Sequence, residues 1–267
     1  MDNLLEQHIG KATTEFGTIY YNKNDLYIGA EYSRNKHWDG DFITSTLSPY
    51  IKNAKTILDI GAHIGSHTIA YASINPSANI YSFEMQSEMF KLLTMNTNAK
   101  NIEPPNQTQI MNTKRIKLFN NAVGNDNKLV EMDTGDPINS HQCCVFNYHA
   151  NPENNEKYNF GALSLGRGGN KIQMISIDSL QLDGCDFIKI DVEGFEYAVI
   201  LGAINTIIKY KPIIYYEKNS RVMTPAMCIM ANLPYRNSNI YNVERLLICL
   251  GYNKFTTYND NILASIA

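Results

Sequence analysis

The sequence predicts an α/β fold, a doubly wound, mostly parallel sheet closed by a C-terminal antiparallel hairpin. Three observations predict it. The segment TILDIGAHIGS, residues 56–66, joins a short apolar run to a glycine turn and a helix start. Strand-like and helix-like segments then alternate at βα spacing. Four acids, Asp59, Glu84, Asp191 and Glu217, fall at or beside the carboxyl ends of predicted strands, where such sheets bind ligands.

Each element follows from local pattern. Residues 16–28 predict a hairpin, FGTIYY and LYIG about a turn at Asn22, Lys23, Asn24 and Asp25. Residues 38–51 predict a helix with Phe42, Ile43, Leu47 and Ile51 on its apolar side and Pro49 inside it. Behind the first glycine turn, residues 67–72 predict an amphipathic helix. Residues 79–83 are a second strand and end at Glu84; residues 89–99 are a helix. Residues 116–123 are a third strand, and residues 187–190 a fourth that ends at Asp191. Residues 198–209 are helical, stopped by Pro212, and residues 213–216 are a fifth strand ending at Glu217. Residues 242–250 form a helix stopped at Gly251. KFTTY and NILASI, separated by Asn259, Asp260 and Asn261, form the closing hairpin.

The stretch 125–173 breaks this rhythm. It is too long for an ordinary loop and reads as an insertion carrying two short strands, LVEM and KIQMISI. Within it, residues 161–169, GALSLGRGG, suit a lid or phosphate-type cradle, or equally a surface turn. The organisation is thus an N-terminal hairpin extension, 1–37, and one domain, 38–267, with an insertion at about 125–173.

Composition excludes several function classes. The net charge is −3, so no basic field draws the chain to nucleic acid. No apolar run approaches the roughly 20 residues of a membrane helix. The start, MDNLLEQHIGK, lacks the basic-then-apolar order of a signal peptide. Five cysteines, at 143, 144, 185, 228 and 249, form no CxxC pair, so reduced thiols in a cytoplasmic setting are expected. The sequon at Asn106 is then a chance match.

The order LDIGAHIG, IYSFE, NNAVG, FIKIDVEG and KPIIYYE resembles the FkbM family of S-adenosylmethionine-dependent methyltransferases. The likeness runs from Trp38 to the C-terminus and is strongest at residues 58–65 and 188–194. GALSL and the terminal GY and NIL are similar to family segments too; Met85 stands where members often carry Pro. The resemblance implies a Rossmann-like class I methyltransferase fold, S-adenosyl-L-methionine as cofactor, and methylation of a hydroxyl on a small-molecule or sugar-containing acceptor.

The residues fit that chemistry. Gly61 and Gly65 let the amino-acid tail of the cofactor approach bare backbone, with Asp59 and His63 beside the turn. Glu84 offers acceptor positions for both ribose hydroxyls, followed by Met85; Asn121 and Ala122 are placed for adenine. A nicotinamide-binding oxidoreductase is the competing reading, since it also places an acid about 20 residues past its turn. The spacing here is Gly-x-x-x-Gly, and His63 occupies the position of the second dinucleotide glycine. A methyltransferase fold kept for binding without turnover is the other alternative.

Methyl transfer to an alcohol needs positioning and removal of the hydroxyl proton. Asp191 is the first candidate for that base, with Glu193 in the same turn and Glu217 on the next strand end. Asp191 and Glu217 also suit one divalent cation such as Mg²⁺, which would lower the acceptor's pKa. His63 and His67 have the i, i+4 spacing of metal ligands, but His63 precedes the helix, so cofactor or substrate contact fits His63 and a surface or packing position fits His67, with metal binding the lesser alternative. His141 and His149, in the insertion, are alternative bases. Trp38 suits capping the pocket or plain packing. Of Tyr215 and Tyr216, at least one belongs in the core. Lys189, within a strand otherwise apolar, calls for an acidic partner or partial exposure.

Overall fold

The computed structural model describes residues 8–98, 115–133, 159–218, 223–235 and 240–267. An N-terminal hairpin, β1 (Ile9–Thr14) and β2 (Gly17–Asn22), precedes a short helix α1 (Ile28–Tyr32) and the helical stretch α2 (40–51). Then come β3 (Thr56–Ile60), α3 (Ser66–Ile74), β4 (Asn79–Phe83), α4 (Ser87–Asn96) and β5 (Ile116–Phe119). Three strands of a smaller sheet follow, β6 (Ala122–Val123), β7 (Lys128–Asp133) and β8 (Gly168–Ile175). The chain returns through β9 (Phe187–Ile190), α5 (Glu196–Leu201), α6 (Ile204–Tyr210) and β10 (Ile213–Glu217). It closes with α7 (Pro225–Met230), α8 (Val243–Cys249), β11 (Lys254–Tyr258) and β12 (Asn261–Ser265).

The central sheet has the order β11-β12-β10-β9-β3-β4-β5. Its strands run parallel except β12, which is antiparallel to both neighbours. Strand order reverses between β3 and β9, so their carboxyl ends flank the crevice where a doubly wound sheet takes a ligand. Alternation along each strand divides the core in two. Ile57, Ile80, Phe187 and Tyr215 pack with α2, α3 and α4, whereas Leu58, Ile188, Ile190 and Ile214 pack with α5, α6 and α8. Both faces are covered, which is why the parallel strands read as continuous apolar runs. No described helix is long and apolar enough to cross a membrane.

Several expectations are corrected. The hairpin lies one strand earlier: Thr14 pairs with Gly17 about the two-residue turn Glu15-Phe16, and LYIG belongs to the start of α1. Asn22 and Asp25 form side-chain turns instead, with Asn22 Oδ1 accepting from Asn24 N and Asp25 Oδ1 from Tyr27 N. Such side chains compete with a hairpin turn by feeding a helix start. The hairpin is also no appendage, for Ala12, Phe16, Ile19 and Tyr21 share one core with α2 and α3. That cover explains why residues 66–73 are buried all round, so α3 is not amphipathic.

The third predicted strand divides. β5 stops at Phe119, and Ala122–Val123 joins the smaller sheet, order β6-β8-β7. Asn120 forces the exit: its amide donates to the carbonyls of Glu84 and Met85. The predicted helix 198–209 is two helices broken at Gly202, where a Cβ would lie 1.9 Å from the Gly124 carbonyl oxygen. α2 contains a π-helical turn, Ile43–Leu47, ahead of Pro49, which has no N–H to continue a regular ladder. β7 and β8 match the two strands expected in the insertion. Cys185 and Cys228 are buried free thiols and Cys249 an exposed one. Asn106, His141, Cys143, Cys144 and His149 lie outside the described residues.

Candidate active site

The crevice at the carboxyl ends holds a cavity of about 260 Å³. Its turn is built by backbone reversal at Gly61 (φ +77°), His63 (φ +51°) and Gly65 (φ +92°). Gly61 is required by space as well: a Cβ there would lie 1.8 Å from the Asp191 carbonyl oxygen. The turn is pinned to β4, since the amides of Gly61 and Ala62 both donate to the Phe83 carbonyl. It is pinned from outside by Asn96, whose amide donates to the Ile64 and Tyr20 carbonyls, and by Tyr32, whose hydroxyl donates to Ser66 Oγ.

Glu84 stands at the tip of β4, 4% exposed, on the cavity wall. Oε2 accepts from His63 N at 2.8 Å and Oε1 from Gln86 N at 2.7 Å. Two amides fix the carboxylate, and two of its roughly four lone-pair positions stay open. Burial raises its pKa to about 7, against the two amide bonds, which lower it. His63 also lines the cavity, and its two ring nitrogens are buried without a hydrogen-bond partner. Burial lowers the ring's pKa, so it is neutral near pH 7.

Across the crevice, Asp191, Glu193 and Glu217 bring carboxylate oxygens within 4.8 Å of one another. The turn after β9 is held from below by Glu196, 4% exposed, whose Oε1 accepts from Val192 N at 3.2 Å and Gly194 N at 3.1 Å. That staple supports Glu193 (φ +55°) and Gly194 (φ +102°) in left-handed conformations. Burial raises the Glu196 pKa to about 7.

Of the residues singled out from sequence, the cavity brings together Gly61, His63, Glu84, Met85, Asn121, Ala122, Asp191, Glu193 and Glu217. Asp59 and Gly65 do not line it. Asp59 is fully buried beneath the turn, bonded to Thr68 Oγ1, and Gly65 starts α3. Trp38 does line it, joined by Tyr27 and Ile28 from the N-terminal segment. The first half of the segment 161–169 is part of the wall: Gly161, Leu163 and Leu165 line the cavity, and Gln86 Nε2 donates to the Phe160 carbonyl, whereas Arg167 and Gly168 are exposed where β8 begins. Lys189 is buried among acids, and both Tyr215 and Tyr216 are core. His67 packs edge-on against Tyr71, 3.8 Å from Asp39.

Sequence reading missed Gln86, Asn96 and Glu196. Glu196 had a local signal, an acid two residues after a glycine that closes a tight turn. Asn96 had none, because its partners are 32 and 76 residues away.

A family model for the methyltransferase FkbM domain matches residues 59–231, more than half of the chain. The chain belongs to the FkbM methyltransferase family. The FkbM methyltransferase of Methylobacillus flagellatus KT matches in structure with a TM-score of 0.50 at 15% identity, over 79% of this chain and 43% of that one. The chain therefore spans less than half the length of that relative. A candidate caffeoyl-CoA O-methyltransferase from Staphylococcus aureus gives 0.42 at 14% identity, covering 85% and 81% of the two chains. Aeropyrum pernix fibrillarin, in complex with S-adenosyl-L-methionine, gives 0.40 at 12%, covering 85% and 74%. No curated protein matches the chain. The FkbM assignment agrees with the sheet, whose antiparallel β12 between β10 and β11 is the class I methyltransferase arrangement. Tyr27, Ile28 and Trp38 lie ahead of the FkbM-matched stretch, yet they complete its cavity.

Proposed function

We propose that the protein transfers a methyl group from S-adenosyl-L-methionine to a hydroxyl of a small-molecule or sugar-containing acceptor. The observation that carries this reading is Glu84, a buried carboxylate preset by two backbone amides and facing the cavity with acceptor positions to spare. Those positions suit a vicinal diol such as a ribose. The turn at Gly61 and His63 would hold the amino-acid tail, and Met85, Asn121 and Ala122 the adenine. The bound cofactor supplies an electrophilic methyl on a good leaving group. Asp191 then serves as the base that takes the acceptor's hydroxyl proton on its carboxylate, and the apolar wall of Trp38, Leu163 and Leu165 limits water.

Among the described residues, the charged groups lining the cavity are all acidic, which favours an uncharged acceptor over a polyanion such as nucleic acid. The trio Asp191, Glu193 and Glu217 is chemically suited to a hard cation, and Mg²⁺ there would acidify a bound hydroxyl. Labelled-methyl transfer to a panel of hydroxylated metabolites and glycans, with Mg²⁺ or with chelator, tests the reading. Transfer to a hydroxyl supports it. Cofactor binding without transfer to any acceptor leaves the non-catalytic alternative, and chelator-insensitive turnover removes the cation.

A further inference from the structure

Lys189 occupies a central strand and is 4% exposed. It stands in register with Asp59 on β3 and Tyr215 on β10, with Ser82 on β4 beyond Asp59. Its Nζ donates to the Gly61 carbonyl at 2.8 Å. The same nitrogen lies 3.4 Å from Asp191 Oδ2 and 3.6 Å from Asp59 Oδ1. Burial alone would lower the pKa of this ammonium; the charges of Asp191 and Asp59 outweigh it and raise the pKa, so the cation persists.

Net stability does not account for such a cluster. A buried ion pair recovers little more than its desolvation cost, and apolar side chains of similar volume often serve as well. What the cluster adds is geometry. Gly61 opens the turn on the cofactor side, and Asp191 is the base on the acceptor side. One buried ammonium spans the two, and Asp59, held by Thr68, keeps that ammonium from shifting.

We infer that Lys189 is a positioning residue for the transfer, fixing the Asp191 carboxylate relative to the Gly61 turn so that proton acceptor and methyl donor keep one mutual placement. The inference rests on the cavity being the S-adenosyl-L-methionine site. Lys189 acts through Asp191 and need not touch either substrate.

Removing Lys189 alone would leave Asp59 buried and uncompensated, so the test variant of the full chain is Lys189→Met with Asp59→Asn. Calorimetry measures affinity for S-adenosyl-L-methionine, and labelled-methyl transfer measures turnover at saturating donor. The expected result is a melting temperature near that of the parent and turnover lower on the order of 100-fold, the scale of a misplaced reacting group. Adding Asp191→Asn to this variant then brings turnover no lower than Asp191→Asn does alone, because both changes disable one unit. Parental turnover in the double variant, or a triple variant whose loss is the product of the separate losses, overturns the inference. Should the double variant not fold, Lys189→Arg keeps the charge and displaces it. That variant is expected to lose turnover while binding the donor within a few-fold, and parental turnover overturns the inference. A parent chain that does not bind the donor overturns the site reading as well. A parent that binds and transfers, beside a double variant that does the same, overturns only the role of Lys189.

Discussion

Gly61 and Asp191 meet backbone to backbone: a Cβ on the glycine would lie 1.8 Å from the aspartate's carbonyl oxygen. The turn proposed to face the cofactor and the strand end that carries Asp191, the proposed base, are thereby in contact without any side chain between them. A positive φ at Gly61 adds a second demand that only glycine meets without strain. Gly61→Ala is therefore expected to destabilise the fold by more than about 2 kcal/mol, combining backbone strain with a steric clash. For a chain of this size that is a fall in Tm of several degrees, read by thermal melting. An unchanged Tm would contradict the close approach.

Glu84 makes a prediction with a defined sign. Its folded pKa, about 7, lies above the ordinary 4.5, so the folded state holds the proton more tightly than the unfolded one. Its contribution to the stability of the free protein is complete below pH 4.5 and is lost as pH rises through 7. Glu84→Gln should flatten part of that decline between pH 5 and 8, measured by denaturant unfolding across pH. Glu196, raised in the same direction, adds to the decline, while His37, His63 and His67, lowered by burial, oppose it.

Cofactor affinity should move the opposite way. Only the ionised carboxylate keeps all its acceptor positions for a diol. Donor affinity is expected to rise about tenfold from pH 6 to pH 8, the ratio a single ionisation near 7 imposes when one form binds. Calorimetric titration at the two values checks this, and equal affinities would exclude Glu84 from the binding site.

Asp191→Asn should separate binding from chemistry. Turnover is expected to fall by roughly 10²- to 10⁴-fold, the usual contribution of a positioned base, while donor affinity stays within a few-fold. Steady-state transfer assays and calorimetry on one preparation give both numbers. Normal turnover would assign the base elsewhere, with Glu193 and Glu217 next to test.

Asn96→Ala tests the bracing of the turn. The side chain is fully buried and bonds the backbone of Tyr20 and of Ile64 at once. Its loss leaves buried backbone groups unpaired, so a destabilisation of about 2–4 kcal/mol is expected in chemical unfolding. A change below about 0.5 kcal/mol would show that the hairpin does not support the site.

The central sheet was legible because its evidence is local. Residues 56–66 carry strand, turn and helix start within one window, and the acids at 84, 191 and 217 each end an apolar run. The hairpin was misplaced because Asn22 and Asp25 suit a hairpin turn and a helix entry equally well, and only packing decides between them. Asp59 illustrates the limit for the site. It shares the strand-end position of the other acids, yet its side chain points to the α3 face and into the Lys189 cluster. Period two along a strand assigns faces, but which face opens on the ligand depends on helices far away in sequence.

The most direct test is calorimetric titration of S-adenosyl-L-methionine at pH 8 into the parent chain and into Glu84→Ala. Saturable one-site binding to the parent, weakened at least tenfold in the variant, is the expected result. A parent that takes up no donor, or a variant that takes it up equally well, would contradict the assignment of this cavity.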